Sequence, residues 1–144
     1  MDFNEYIEKP RVLTGKIEEA EDKIETMRAR SQYARSDPSQ PPGGNPRHES
    51  IIERYVARID ELERLLPLLE AERNAICADL TLLFSELENT LQMKVLCMRY
   101  VDLMTFPDIK ASLKYSEQHI LRLHKAGRAA AEKIYLEKES GMRV

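Results

Sequence analysis

Residues 105–124 of this 144-residue chain read TFPDIKASLKYSEQHILRLH, and they contain two signals for the start of a helix. Thr105 is a favoured N-cap residue, and the Pro and Asp that follow suit a first helical turn, so we predict a helix over residues 106–113. Ser116 is a second N-cap residue and precedes a helix that we place at residues 117–128. Two short helices joined by a turn of about three residues have the spacing of a helix-turn-helix.

The apolar residues of this stretch lie at the offsets that such a motif needs for a small core of its own. Ile109 and Leu113 form the inner face of the first helix. Ile120 and Leu123 do the same for the second helix, with Gly127 on the same side. The stretch therefore predicts two helices that bury one face each against a shared core.

Two lysines depart from the usual pattern of the motif. A small residue normally occupies position 110, where the helices approach, and Gly normally occupies position 114, in a left-handed turn. Lys110 can bury its methylene stem while its ammonium group stays in water. Lys114 in a left-handed conformation costs roughly 1 kcal/mol relative to Gly. We therefore expect the motif to form with both lysines in place.

The residues before Thr105 predict one more helix. The stretch NTLQMKVLCMRYVD (89–102) places Leu91, Val95 and Met98 on one face, as in a short amphipathic helix. The following residues break this period. We therefore place a helix-turn-helix domain with a C-terminal helix at residues 89–144.

The first 88 residues carry two apolar seams with the alternating steps of three and four that are typical of a coiled coil. The first seam predicts a helix over residues 1–35, which Pro10 should fray or kink so that the continuous helix begins near that residue. The second predicts a helix over residues 51–88, in which Pro67 should cause a kink rather than a stop. The seam residues are Phe3, Tyr6, Pro10, Leu13, Ile17, Ala20, Ile24 and Met27 in the first helix, and Ile52, Tyr55, Ile59, Leu62, Leu66, Leu69, Arg73, Ile76, Leu80, Leu83 and Leu87 in the second.

Between these helices, SDPSQPPGGNPRHES (36–50) has four prolines and two adjacent glycines, which cannot continue a helix. We interpret it as a flexible connector, with a binding role as the alternative. A hairpin across this loop would cover only part of the longer second seam. The rest must bury against the C-terminal domain, a second copy of the chain or a partner protein. The predicted fold class is all-α, a long antiparallel helical hairpin followed by a helix-turn-helix.

The net charge of −3 conceals a division between the two ends of the chain. Residues 1–90 hold 12 Lys+Arg and 19 Asp+Glu, a net of −7, whereas residues 91–144 hold 10 and 6, a net of +4. Between positions 110 and 128 there are five basic residues and one acidic residue, Glu117. We call residues 1–90 the acidic arm. Because the positive charge is concentrated in residues 91–144, we expect only this C-terminal part to bind a polyanion.

Several classes of function find no support in the sequence. No apolar run reaches 18 residues and the N-terminus is unlike a secretory signal, so we expect a cytoplasmic protein without membrane contact. Cys77 and Cys97 have the spacing of neither a zinc site nor a disulfide framework. His119 and His124 lie on different faces of their helix, so we expect no metal. No catalytic or phosphate-binding motif is present, and we predict no enzyme activity and no cofactor.

The stretch LQMKVLCMRYVDLMTFPDIKASLKYSEQHILRLHKAG (91–127) resembles the region-4 helix-turn-helix of sigma factors. With its heptad arm and Pro/Gly loop, the whole chain resembles RinA/ArpU-like phage transcriptional regulators of the DUF1492 type. The resemblance implies sequence-specific binding to double-stranded DNA and control of phage or prophage genes, late genes among them, in a bacterial host. The residues that match the sigma region-4 pattern are Val95, Leu96, Arg99, Tyr100, Thr105, Ile109, Leu113, Tyr115, Ser116, Ile120, Arg122, Leu123 and His124.

In a helix-turn-helix, the second helix enters the major groove with its N-terminal residues toward the base edges. Gln118 can read adenine and Arg122 can read guanine, each through two hydrogen bonds, and Glu117 can accept from cytosine. The base-reading candidates are Glu117, Gln118, Leu121, Arg122 and Lys125. The candidates for phosphate contacts, which position the protein without specifying sequence, are Lys110, Lys114, Lys125 and Arg128.

Other hypotheses remain open at this stage. The acidic arm can join two copies of the chain or contact host RNA polymerase. A small terminase-like DNA-packaging component also combines a helix-turn-helix with helical oligomerisation, and it would form a ring of eight or more subunits. A sigma- or anti-sigma-like adaptor would bind RNA polymerase without affinity for DNA.

Overall fold

The computed structural model describes residues 1–36 and 46–141, with side chains described for residues 1–35 and 50–141. This part of the chain consists of helices joined by short connections and contains no strand, which confirms the all-α class. The helix predicted over residues 106–113 is confirmed with these boundaries. The helix predicted over residues 117–128 begins as predicted and continues to Gly141. The helices are α1 (Phe3–Ser36), α2 (Pro46–Ser85), α3 (Thr90–Leu96), α4 (Phe106–Leu113) and α5 (Glu117–Gly141), and a π-helical turn, Cys97–Val101, directly continues α3.

Helix α1 is continuous from Phe3 and runs through Pro10 without a break. Its start is fixed by Asp2, whose side chain accepts a hydrogen bond from the backbone N–H of Glu5 at 2.8 Å. The first turn also buries Ile7, a residue outside the predicted seam, whereas the seam residue Tyr6 is only half-buried. The expectation of a helix that becomes continuous only near Pro10 is therefore wrong, because a cap and buried contacts on both sides offset the one backbone hydrogen bond that proline removes.

Helix α2 extends through Pro67, as predicted, but its ends differ from the predicted 51–88. It starts at Pro46, so the predicted 36–50 loop is shorter at both ends, and residues 37–45 lie outside the described part of the chain. It ends at Ser85 because the next two N–H groups bond three residues back, which tightens the chain and turns Leu87 into the core. The side chain of Asn89 then caps α3 by accepting from the N–H groups of its first turn.

The chain forms two compact units, and the smaller one comprises Leu13–Glu72. In this unit, α1 and α2 pack through a cluster of buried seam residues flanked by half-buried ones. Arg28 and Glu63 form an ion pair beside the cluster, but both side chains are largely exposed, so the pair contributes little stability. The residues of this cluster are Ala20, Ile24 and Leu62, with Met27, Ile59 and Leu66 against them.

The other unit joins Met1–Val12 to Arg73–Val144. Its main core brings the first turns of α1 together with the end of α2, with α3 and its π-helical turn, and with the middle of α5. The later part of the second seam thus buries against the C-terminal elements, one of the three possibilities that the sequence left open. The core residues are Phe3, Ile7, Leu80, Leu83, Phe84, Leu87, Leu96, Tyr100 and Ala131.

A second cluster in the same unit holds α3, α4 and α5 together. Val95, Ile109 and Ile120 are almost completely inaccessible to solvent, and Leu123 is buried beside them. Each helix contributes at least one of these residues, so α4 and α5 are fixed by apolar contacts with α3 as well as by the turn that connects them. Among the described residues, no helix is both long enough and apolar enough to cross a membrane.

Candidate nucleic-acid interface

Helices α4 and α5 each begin with the N-cap that the sequence predicts. The Thr105 hydroxyl accepts from the N–H of Asp108 at 3.3 Å, and the Ser116 hydroxyl accepts from the N–H of His119 at 3.2 Å. Each cap satisfies a backbone donor that the helix itself leaves without a partner. The two helices therefore begin at defined residues, and only the residues from Lys114 to Ser116 separate them.

Lys114 adopts the left-handed conformation that the sequence analysis foresaw. Its φ is 59° and its ψ is 36°, and its N–H closes α4 by donating to the carbonyl of Lys110 at 2.8 Å. A side chain at this position carries a steric cost that Gly avoids, of roughly 1 kcal/mol. The turn forms with lysine because the clusters on either side of it hold both helices in place.

The base-reading candidates lie together on one surface of α5. Their side chains are exposed, whereas Ile120, Leu123 and Gly127 on the opposite side are buried. Helical spacing of three and four residues places them in neighbouring rows over the first two and a half turns. We call this surface the outward face of α5, and it consists of Glu117, Gln118, Leu121, Arg122 and Lys125.

Two of the phosphate candidates lie outside α5, on the helix and the turn that precede it. Lys110 on α4 and Lys114 in the turn are both exposed. The inward contact of the helical turn that carries Lys110 is made by the neighbouring Ile109. Together with Arg122 and Lys125, these lysines give the α4–α5 surface a concentration of positive charge.

Arg128 occupies a different environment from the other basic candidates. It is half-buried, and its guanidinium donates hydrogen bonds to the side-chain oxygen of Asn4 and, at 3.5 Å, to the hydroxyl of Tyr100. These bonds tie α5 to the first turn of α1 and to the π-helical turn. Arg128 was predicted to contact phosphate, but its position indicates a structural role in holding α5.

A polar network of the buried Tyr100 and the half-buried His124 and Arg128 supports the back of α5. The Tyr100 hydroxyl and His124 Nε2 are 2.6 Å apart, and their rings are stacked. The Tyr100 oxygen also accepts from Arg128, and the tautomer of His124 sets which of the two partners donates in the Tyr100–His124 bond. Burial raises the pKa of Tyr100, and burial followed by the charges of Arg128 and Arg99 lowers the pKa of His124.

Arg99 links the π-helical turn to the start of α4. Its guanidinium donates to the carbonyl of Met104 at 3.0 Å and lies 4.5 Å from the centre of the Phe106 ring. The Phe106 ring in turn meets His124 edge-on. Leu103, in the same connection, has a positive φ of 57°, which is uncommon for a residue other than Gly. Sequence periodicity did not predict this connection, although the break before Thr105 marked its position.

Gly127 lies where α5 packs closely against α3. A Cβ atom at this position would lie 3.1 Å from the Cβ of Gln92 and 3.2 Å from a methyl group of Leu96, tighter than most such contacts. The buried position that the sequence predicted for Gly127 is confirmed. A side chain here would require Gln92 or Leu96 to shift by a few tenths of an ångström.

The chain matches no protein-family model, no curated protein and no solved structure. The assignment of a site therefore depends on the chemistry of the residues themselves. No group of three or more His, Cys, Asp or Glu side chains that could hold a metal occurs in the described residues. Cys77 and Cys97 are half-buried and form no disulfide, and burial raises the pKa of both thiols. The outward face of α5 and its adjoining lysines are thus the candidate functional surface.

The left-handed turn gives a prediction about stability. Replacing Lys114 with Gly should raise the free energy of unfolding by about 1 kcal/mol, because Gly adopts a positive φ without the steric cost. The matched variant Lys110→Gly removes the same charge from the interior of α4 and should lower the free energy of unfolding by roughly 0.5–1 kcal/mol. Urea denaturation measures both values, and equal destabilisation by the two substitutions would contradict the assigned turn geometry.

The lowered pKa of His124 predicts a dependence of stability on pH. Between the folded and unfolded pKa values, the unfolded chain binds the proton more tightly, so stability rises with pH. The contribution is complete above the unfolded pKa, near the ordinary value of 6.5, and is lost as the pH falls through the lower folded pKa. Urea denaturation between pH 7.5 and about pH 5 should show this loss.

The variants at the two histidines separate this effect from general acid destabilisation. His124→Gln should remove the His124 contribution to the slope, whereas His119→Gln, which leaves the Tyr100–His124 contact in place, should retain it. An identical slope in the wild type and in His124→Gln would show that the polar network does not favour a neutral imidazole.

Proposed function

We propose that this protein binds double-stranded DNA in a sequence-specific manner through α4 and α5, which act as a helix-turn-helix with α5 in the major groove. The observation that carries the proposal is the outward face of α5. Hydrogen-bonding and charged side chains occupy it from the first turn onward, and the opposite side of the helix is anchored in a core. This is the arrangement that base reading requires, because the reading side chains need a rigid support.

The side chains on the outward face suit particular base edges. Gln118 can form two hydrogen bonds with adenine, and Arg122 can form two with guanine. Glu117 can accept from the amino group of cytosine, although its charge disfavours nearby phosphates. Gln118, Arg122 and Lys125 follow one another at steps of four and three, so they can reach successive base pairs along one groove.

The lysines have a separate task in this proposal. Lys110 on α4, Lys114 in the turn and Lys125 on α5 are exposed, and in this proposal they contact phosphates beside the groove. Lys125 is also a candidate for base reading. Arg128 is left out of the phosphate set and is proposed to hold α5 through Asn4 and Tyr100.

The biological setting rests on the resemblance of the chain to phage regulators with a sigma region-4-like helix-turn-helix. In this proposal the protein acts in the cytoplasm of a bacterial host and regulates phage or prophage genes. Residues 13–72 carry 9 Lys+Arg and 13 Asp+Glu, a net of −4, and would pair as a helical hairpin. An arm of this charge is not attracted to DNA, so it is available to contact host RNA polymerase or a second copy of the chain.

Selection of a binding site from random duplexes, followed by fluorescence anisotropy with the selected duplex, tests the proposal. Arg122→Ala should raise the dissociation constant roughly 5- to 150-fold, which corresponds to about 1–3 kcal/mol, and should relax specificity at one base pair. Arg54→Ala removes an exposed arginine from α2 and should leave the dissociation constant unchanged.

The salt dependence separates the two kinds of contact. Replacing Lys110, Lys114 or Lys125 with Ala should each weaken binding to all duplexes and reduce the salt slope by about 1. Selection of no sequence at low salt would contradict the proposal. So would equal loss of affinity in Arg122→Ala and Arg54→Ala. Tight binding to RNA polymerase without any affinity for DNA would instead identify an adaptor.

A further inference from the structure

Leu121 is an apolar side chain in the middle of an otherwise polar surface. It is 43% exposed and lies on the outward face of α5. Its chain neighbour Ile120 is buried in the cluster that joins α3, α4 and α5, whereas Leu121 belongs to none of the apolar clusters in the described residues. The core therefore does not account for a leucine at this position.

The position of Leu121 on the helix places it among the reading residues. Glu117 and Lys125 lie one turn before and one turn after it, and Gln118 lies three residues before it. Long side chains on a helix lean toward its N-terminus, so the isobutyl group of Leu121 covers the turn that carries Glu117 and Gln118. It thus lies toward the end of α5 that approaches the base edges in the proposed complex.

The chemistry of the major groove offers one partner for an exposed aliphatic group in this position. Adenine, guanine and cytosine present hydrogen-bonding atoms there, and a leucine cannot bond to them. Thymine adds a C5-methyl group, which an apolar side chain can contact with the exclusion of water from both.

We infer that Leu121 determines specificity by contacting the C5-methyl group of a thymine, next to the base pairs read by Gln118 and Arg122. This inference rests on the proposed function, since it names one contact of the same DNA-binding surface. It predicts that the selected site contains a thymine whose methyl group contributes to affinity independently of its hydrogen-bonding groups.

Replacement of thymine by uracil in the DNA isolates this contact. Each thymine of the selected duplex is replaced in turn by deoxyuridine, which keeps the pairing and hydrogen-bonding groups and lacks only the methyl group. At one position the wild-type protein should bind about fourfold more weakly, which corresponds to about 0.8 kcal/mol for one buried carbon. Positions outside the α5 contact should show no change.

Two variants connect the effect to Leu121. Leu121→Ala should bind the thymine-containing duplex more weakly and should lose its sensitivity to uracil at that position. Leu136→Ala is a matched control, because Leu136 is also on α5, is 53% exposed and lies well beyond the reading residues. It should keep the full fourfold difference.

The outcomes distinguish this inference from the proposed function. If the wild-type protein binds the selected duplex and no uracil substitution weakens binding, the inference is wrong and the DNA-binding function stands. The inference is also wrong, and the DNA-binding function stands, if Leu121→Ala remains as sensitive to uracil as the wild type. The same conclusion follows if the Leu121→Ala variant loses binding to a protein partner and not to DNA. Failure to bind any duplex overturns both.

Discussion

The contact of α5 with α3 at Gly127 is the constraint on which the arrangement of the candidate site depends. Because this residue has no side chain, the two helices approach until the position of its missing Cβ is in close contact with Gln92 and Leu96. Ile120 then reaches the same cluster as Val95 and Ile109. Because the inward side of α5 is held at these points, the opposite side is presented in one orientation. A binding surface on a rigid helix loses little conformational entropy when it binds its ligand.

The polar network behind α5 adds directional hydrogen bonds to this apolar packing. Tyr100, His124 and Arg128 have hydrogen-bonding groups that would be costly to bury alone, and they satisfy one another in the space between α5 and the π-helical turn. The bond from Arg128 to Asn4 brings the first turn of α1 into the same unit. Residues at the two ends of the sequence therefore support one helix, and a change in the first turn of α1 can affect the surface formed by α5.

Local signals in the sequence were sufficient to predict much of the structure of the α4–α5 region. Thr105 and Ser116 act as caps with neighbours a few residues away, so their roles follow from short-range chemistry. The left-handed conformation of Lys114 was predictable from the helix-turn-helix pattern, in which Gly normally occupies this position. The roles of Ile7 and Arg128 were not, because they depend on partners far away in the sequence, and periodicity carries no information about which elements meet. The π-helical turn and the positive φ of Leu103 likewise depend on tertiary packing, which overrides local propensity.

The central claim is that the protein meets DNA through the outward face of α5, and residue-specific NMR tests it most directly. Isotope-labelled protein is titrated with the selected duplex at low salt, and the changes in amide chemical shift are followed along the chain. The account predicts that the largest changes fall on residues 114–125, with residues 13–36 unaffected. Changes confined to residues 13–72, or no changes at any residue, would contradict it.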